Sequence, residues 1–224
     1  MFKKKIFIAI DTNKVSKAKK IIRDTQSNKI KIGYKFGLEF FYSKDGRKFL
    51  SSLKNQTIFL DLKLNDIPNT IKSAMKSLKN LKISYLTVHL SSGMSALKSL
   101  KKESKNIKIA GVTTLTSLNN KDLKEIGYSK NVNELVRHQA KLAKKAKLDA
   151  IVCSGHEIKS VKKVFRKEII TPGIKIENSQ NDQKRIMKPK DAFAAGSDWL
   201  VIGRSITKGN IKKNIQNLLE VLED

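Results

Sequence analysis

Eight short apolar runs divide the 224-residue chain at regular intervals, and this rhythm limits the folds that it can adopt. Each run is rich in β-branched side chains and has the length of a strand that is buried on both faces. The runs cover residues 6–10, 30–33, 58–62, 85–89, 107–112, 150–153, 168–171 and 200–203. Successive runs begin roughly 20 to 40 residues apart, which is typical of repeated strand–helix units.

Amphipathic segments connect these runs. Apolar residues recur with a helical period in residues 15–25, 71–81, 135–146 and 211–222, so one face of each helix can pack on a sheet. Eight such units predict a single α/β domain over residues 1–224, a closed (β/α)8 TIM barrel, with an open doubly wound sheet as the alternative. No glycine-rich dinucleotide or Walker loop follows the first run, which argues against those nucleotide sites.

The strongly basic composition raises the question of an anionic partner. The chain has 47 Lys and Arg residues against 20 Asp and Glu, a formal charge of +27, and such an excess can mark a nucleic-acid-binding protein. Most of the excess is lysine, however, whereas arginine is the residue that binds bases and phosphates bidentately. Aromatic residues amount to only 6% and form no stacking platform with basic residues. We therefore interpret the charge as a lysine-rich surface and expect no nucleic-acid partner.

Other protein classes are excluded by what the chain lacks. Cys153 is the single cysteine, so an internal disulfide framework and a cysteine-based zinc site are excluded. No apolar run approaches the roughly 18 residues of a membrane span. The first apolar run ends at Asp11 and is too short for the core of a signal peptide. We expect a cytoplasmic protein with no membrane partner.

Polar and charged residues gather where the apolar runs end. In a (β/α)8 barrel, the carboxyl ends of the strands form the face that carries the active site. The residues near these ends include Asp11, Lys31, Asp61, Lys63, Asp66, His89, Thr113, Thr114, Thr116, Cys153, Thr171, Gly203 and Arg204. Unpaired buried charges are costly, so a concentration of charges at this face indicates a functional site.

The densest of these clusters comprises Asp61, Lys63 and Asp66. Asp61 and Lys63 lie two positions apart on one strand, so their side chains share a face, and Lys31 on the neighbouring strand is predicted to reach the same space. A charged lysine aimed at a substrate carbon would be a proton donor, although a network that only ties two strands together is the alternative. Nothing at metal-ligand spacing accompanies His89, which we interpret as structural, and we predict no metal site.

A second cluster is suited to an anion. Thr171-Pro-Gly-Ile174, Gln183 and Gly203-Arg204 belong to the loops after the seventh and eighth strands, which often bind phosphate in these barrels. Gly203 permits a close approach of the backbone, and Arg204 is able to bind two phosphate oxygens. The alternative is a pair of ordinary loop glycines with a surface arginine.

The stretch Phe59-Leu-Asp-Leu-Lys-Leu-Asn-Asp-Ile-Pro-Asn-Thr70 closely resembles the signature of the orotidine 5′-phosphate decarboxylase family, bacterial type. Similar segments follow in order over nearly the whole chain, at residues 10–11, 30–33, 87–89, 112–117, 171–174, 182–187 and 201–204. The Asp-x-Lys-x-x-Asp core is shared with sugar-phosphate decarboxylases and synthases of the same superfamily, which remain the alternative function. The Ile-Pro-Asn-Thr, Thr-Pro-Gly-Ile and Ile-Gly-Arg elements favour the decarboxylase.

This resemblance implies a homodimer that converts orotidine 5′-monophosphate to UMP and CO2, the last step of de novo pyrimidine synthesis, without a metal or an organic cofactor. By position, it implies that Lys63 donates a proton to C6 and that Asp61 lies against the substrate carboxylate. It also implies that Lys31 and Asp11 belong to the charged network at the ribose and that Thr116 lies near the base. Asp66, Ile67 and Thr70 would reach into the partner's site. The phosphate would be held by Gln183, Gly203 and Arg204. Lys175 stands where the family usually has arginine, which replaces a planar fork with a point charge at the phosphate end.

Overall fold

The computed structural model describes residues 4–176 and 187–223. Within these ranges the strands are β1 (Lys5–Ile10), β2 (Lys31–Gly37), β3 (Ile58–Leu64), β4 (Tyr85–His89), β5 (Lys108–Val112), β6 (Ala150–Val152), β7 (Glu168–Thr171) and β8 (Trp199–Ile202). They are parallel, they pair in chain order, and β8 pairs with β1, so the barrel is closed. The predicted (β/α)8 barrel is therefore confirmed, and the open sheet is excluded.

Helices surround this barrel. They are α1 (Val15–Asp24), α2 (Leu38–Phe41), α3 (Gly46–Ser52), α4 (Pro68–Ser77), α5 (Gly93–Glu103), α6 (Asn120–Glu125), α7 (Val132–Lys145), α8 (Ile158–Lys162), α9 (Pro189–Ala194), α10 (Arg204–Thr207) and α11 (Ile211–Glu223). The predicted helices correspond to α1, α4, α7 and α11. Helix α4 begins before its predicted start because Pro68 occupies the first turn, where a missing N–H costs nothing. In the described part of the chain, no helix combines the length and the apolar character that a bilayer crossing requires.

Strand β2 extends four residues beyond its predicted end at Gly33. Tyr34 and Phe36 lie on the outer face of the strand and are buried in the layer between the barrel and the helices. Gly33 lies on the inner face, where an added Cβ would come within 2.7 Å of the Phe7 ring. The strand runs from Lys31 to Gly37 and so places Lys35 near its carboxyl end.

A second apolar cluster fills the inside of the barrel. Phe7 stacks on Trp199 with ring centroids 4.0 Å apart and contacts Phe59 at 5.0 Å. Tyr85 meets the Phe7 ring edge-on at 5.4 Å. We call these four side chains the aromatic plug. They occupy the barrel axis, so the carboxyl ends of the strands can form a pocket with an apolar floor.

Candidate active site

A cavity of about 280 Å³ opens at the carboxyl ends of the strands. Its apolar lining includes Ala9, Phe59, Val112, Val152 and Val201, and Phe59 also belongs to the aromatic plug. The charged side chains that line it in the described ranges are Asp11, Lys35, Asp61, Lys63, Lys175 and Arg204. Because basic groups outnumber acidic ones two to one in this set, the cavity is suited to an anionic ligand.

Four of these side chains form a line of alternating charge. Lys63 Nζ lies 2.8 Å from Asp61 Oδ2, and Lys35 Nζ lies 3.8 Å from the same oxygen. Lys35 Nζ also donates to Asp11 Oδ1 at 3.1 Å. The side chains of Lys35 and Asp61 are only 13% and 12% exposed. We call Asp11, Lys35, Asp61 and Lys63 the charge array; each buried charge in it has a partner of opposite sign, which offsets its loss of water.

Lys31 does not belong to this array, and the prediction that it does is wrong. Lys31 pairs in register with Lys5 at the start of the barrel strands, and its Nζ lies 5.8 Å from the centre of the Trp199 ring. Because β2 continues past Gly33, the position near the carboxyl end of the strand, beside the cavity, belongs to Lys35. Lys35 therefore takes the place in the network that was predicted for Lys31.

Thr87 on β4 is a further residue at the array, and no role was predicted for it from the sequence. Its hydroxyl accepts from the backbone N–H of Lys63 at 2.7 Å and donates to Asp61 Oδ1 at 3.0 Å. Asp61 is thus bound through one oxygen by Thr87 and through the other by Lys63. Threonine is common in strands, so its position within a buried apolar run gave no signal of this role.

His89 lies near Lys63 and Asp61, and Cys153 lines another part of the cavity. Burial lowers the pKa of His89 from its ordinary value, and the nearby Lys63 ammonium lowers it further, which favours the neutral imidazole. Burial raises the pKa of the Cys153 thiol, which makes it a weak nucleophile. Within residues 4–176 and 187–223, no three His, Cys, Asp or Glu side chains are grouped as metal ligands.

Another part of the cavity lining comes from the segments after β7 and β8. Gly173 has a φ of +76°, a left-handed conformation that glycine adopts at little cost, and it turns the chain toward the buried Lys175. Gly203 precedes α10, and a Cβ added there would lie 3.5 Å from Asp11 Oδ2. Arg204 lines the same side. Gln183, the remaining predicted phosphate ligand, lies outside the described residues.

The other predicted site residues divide into two groups. Thr116 lines the cavity. Asp66, Ile67 and Thr70, in contrast, are exposed on the segment that leads from β3 into α4, and the Ile67 side chain is 66% exposed. The structure therefore does not bring these three residues into the cavity of their own chain.

Comparison with known proteins decides the family. The model of the orotidine 5′-phosphate decarboxylase / HUMPS family matches residues 4–215. The chain belongs to this family. Its relatives in the family include the orotidine 5′-phosphate decarboxylase of Wolbachia sp. subsp. Brugia malayi, which is 40% identical over 221 residues and 96% of each chain. The enzyme of Carboxydothermus hydrogenoformans is 36% identical, over 98% of this chain and 96% of the relative.

Solved structures of the family have the same fold. The orotidine 5′-phosphate decarboxylase of Lactobacillus acidophilus superposes with a TM-score of 0.81 and 28% identity, over 99% of this chain and 100% of that one. The orotidine 5′-monophosphate decarboxylase of Methanocaldococcus jannaschii, complexed with the inhibitor BMP, gives a TM-score of 0.80 at 23% identity over 99% of both chains. At that identity, the second match supports the fold alone.

Proposed function

We propose that this chain decarboxylates orotidine 5′-monophosphate to UMP and CO2, as the last step of de novo pyrimidine synthesis in the cytoplasm. The observation that carries the proposal is the charge array, which lies in the same cavity as Lys175 and Arg204. The substrate has a carboxylate on its base and a phosphate at its other end. A cavity with an Asp–Lys array on one side and basic residues on the other is suited to both groups.

Lys63 is the proposed proton donor. When the bond between C6 and the carboxylate carbon breaks, its electron pair remains on C6 and CO2 leaves. The ammonium of Lys63 stabilises this developing negative charge and then transfers a proton to C6, which gives UMP. Because the ammonium is already held 2.8 Å from Asp61, little reorganisation is needed at the moment of reaction.

Asp61 and Lys35 support this step in different ways. The Asp61 carboxylate would lie against the substrate carboxylate, and their repulsion is relieved as the substrate loses its charge as CO2. Lys35 bridges Asp61 and Asp11, so it fixes both carboxylates. In the proposal, Asp11 and Lys35 also bind the ribose hydroxyls.

Phosphate binding is assigned to the segments after β7 and β8. Lys175, Gly203 and Arg204 line that side of the cavity, and Gln183 is proposed to join them. Thr116 would lie near the base. Binding energy from the phosphate, which is remote from C6, holds the base against Lys63 and so contributes to the rate.

We further propose a homodimer in which Asp66, Ile67 and Thr70 complete the site of the partner subunit. Support comes from their exposure and from their position just after the catalytic strand. Leu38 and Tyr42 are also exposed apolar side chains, at 46% and 76%. Together with Ile67, they offer surface that a second copy of the chain would bury.

A sugar-phosphate enzyme of the same family is the second candidate, because the matching family model covers more than one activity. In the alternative, the site carboxylates would bind Mg²⁺. The geometry favours the decarboxylase, since Lys35 lies between Asp11 and Asp61 and its ammonium would repel a divalent cation there. Decarboxylation of orotidine 5′-monophosphate that survives EDTA supports the decarboxylase. An enzymatic activity that EDTA abolishes supports the alternative.

The test of the proposed function is a spectrophotometric assay for loss of orotidine 5′-monophosphate absorbance, with UMP identified by chromatography. We expect turnover by the wild type and none above background by Lys63→Ala. Lys147→Ala is a matched control, because Lys147 is an exposed lysine that shares the positive φ of Lys63. An inactive wild type, or an unimpaired Lys63→Ala variant, would overturn the proposal.

A further inference from the structure

Strand β3 contains an irregularity at the point where it carries Asp61 and Lys63. Leu60 pairs with Leu86 on β4, but the next pair in register is Leu64 with Val88. The three residues 61–63 therefore lie opposite Thr87 alone. A bulge of this kind bends a strand and changes the direction of its side chains, and bulges are frequent beside active sites.

Lys63 has an unusual backbone conformation within this bulge. Its φ is +49°, which lies in the left-handed region that residues with a Cβ adopt at a cost. Such a conformation persists only where the surrounding structure holds it. The proposed proton donor is therefore attached to a segment of backbone that needs support from its neighbours.

Thr87 supplies this support. Its side chain is fully buried, and its hydroxyl accepts the displaced N–H of Lys63 at 2.7 Å. The hydroxyl has one proton to donate, and this proton goes to Asp61 Oδ1 at 3.0 Å. The stiff χ1 of a β-branched side chain restricts the hydroxyl to this place. One oxygen atom thus links the Lys63 backbone to the Asp61 carboxylate.

We infer that Thr87 is a positioning residue, which sets the Lys63 ammonium and the Asp61 carboxylate relative to the reacting carbon. This inference rests on the proposed decarboxylase function. Thr87 on β4 acts through Asp61 and Lys63 on β3, and these two strands stand across the closed barrel from β7 and β8, the strands that precede Lys175 and Arg204. Its loss should therefore lower kcat and leave KM, to which phosphate binding contributes, largely unchanged.

The experiment compares kcat and KM for the wild type, Thr87→Val, Thr87→Ser and Thr25→Val. Thr87→Val keeps the shape and removes the hydroxyl, and we expect kcat to fall by about 10- to 100-fold because small misplacements of reacting groups have effects of this size. KM should change by less than about threefold. Thr87→Ser keeps the hydroxyl and should recover most of kcat.

Thr25→Val is the matched control. Thr25 is also fully buried, and its hydroxyl bonds to Ile21 O at 2.7 Å and to Tyr34 Oη at 3.1 Å, at the end of α1. This variant should lose stability, as measured by urea unfolding, and keep its kcat. Equal losses of kcat in Thr25→Val and Thr87→Val would show a general effect of destabilisation and overturn the inference.

Other outcomes are equally decisive. Full kcat in Thr87→Val, a loss confined to KM, or a Thr87→Ser variant as impaired as Thr87→Val would each overturn the positioning role. If Thr87→Val fails to fold, Thr87→Cys replaces it, because a thiol is only a weak donor and a weak acceptor of hydrogen bonds. We then expect a lower kcat for Thr87→Cys than for Thr87→Ser, and equal values would overturn the inference. An inactive wild type would instead contradict the proposed function.

Discussion

Lys31 and Lys35 lie on the inner face of the same strand but at opposite ends of the barrel. The Nζ of Lys31 lies over the Trp199 ring, whereas the Nζ of Lys35 reaches Asp11 at 3.1 Å. They are four positions apart along the strand, or about 13 Å at the usual rise per residue. The two side chains are chemically identical, so their different surroundings alone should determine what each one does.

This pair provides a direct test of the charge array. We expect Lys35→Met to lower kcat/KM by at least about 100-fold, because its removal leaves two carboxylates without their shared cation. The kcat/KM of Lys31→Met should stay within about threefold of the wild-type value, because Lys31 is remote from the cavity. The absorbance assay measures both variants. Similar losses in the two variants would contradict the assignment of Lys35 to the site.

Lys175 should bind phosphate less well than arginine would. Lys175→Arg restores a planar group that can bind two oxygens, so we expect an unchanged kcat and a KM that is lower or unchanged. Lys175→Met removes the charge and should raise KM. Steady-state kinetics over a range of substrate concentrations separates the two constants. A large fall in kcat for Lys175→Arg would be inconsistent with a role in phosphate binding.

The proposed dimer can be tested by mixing two inactive variants. If Asp66 acts in the partner's site, a hybrid dimer of Lys63→Ala and Asp66→Ala chains has one site with both defects and one intact site. Random reassociation in a symmetric dimer makes half of the dimers hybrids, so activity should recover to about a quarter of the wild type. If Asp66 acts within its own chain, mixing will restore no activity. Sedimentation velocity would report the assembly of each sample.

His89 should make the fold sensitive to mild acid. Its pKa in the folded protein is lowered from 6.5, so as the pH falls through 6.5 the unfolded chain takes up this proton before the folded chain does. The unfolded state then binds more protons, and the free energy of unfolding decreases. We expect His89→Gln to remove part of this decrease. Urea unfolding above and below pH 6.5 measures it.

The control for this measurement is His138→Gln, which replaces an exposed histidine on α7. It should leave the pH dependence of the unfolding free energy as it is in the wild type. An identical pH dependence in the wild type and in His89→Gln would show that His89 does not contribute.

The fold could be predicted because it depends on repetition. Eight apolar runs at βα spacing leave few ways to bury them. The period of two in a strand predicts the Asp61–Lys63 pair, and the pair forms, although the strand between the two residues is bulged rather than regular. The end of β2 was harder to predict, since Gly33 interrupts the apolar run. The alternation of Ile32, Tyr34 and Phe36 is the signal that would have extended the strand and identified Lys35.

Thr87 marks a limit of a different kind. Its importance arises from a register shift between β3 and β4 and from the left-handed backbone of Lys63. Both features depend on how two strands meet, and neither is encoded in the pattern of one strand alone. Similarly, the exposure of Asp66 and Ile67 becomes apparent only when α4 is placed on the barrel.

The aromatic plug limits the routes by which molecules can enter and leave the site. Phe7 and Trp199 stack across the barrel axis, and Phe59 lies both in the plug and in the floor of the cavity. These side chains thus block the interior of the barrel, which is not open from end to end. Carbon dioxide formed near Lys63 would have to leave by the route through which the nucleotide entered. In the decarboxylase proposed here, the gas and the nucleotide would therefore share one exit.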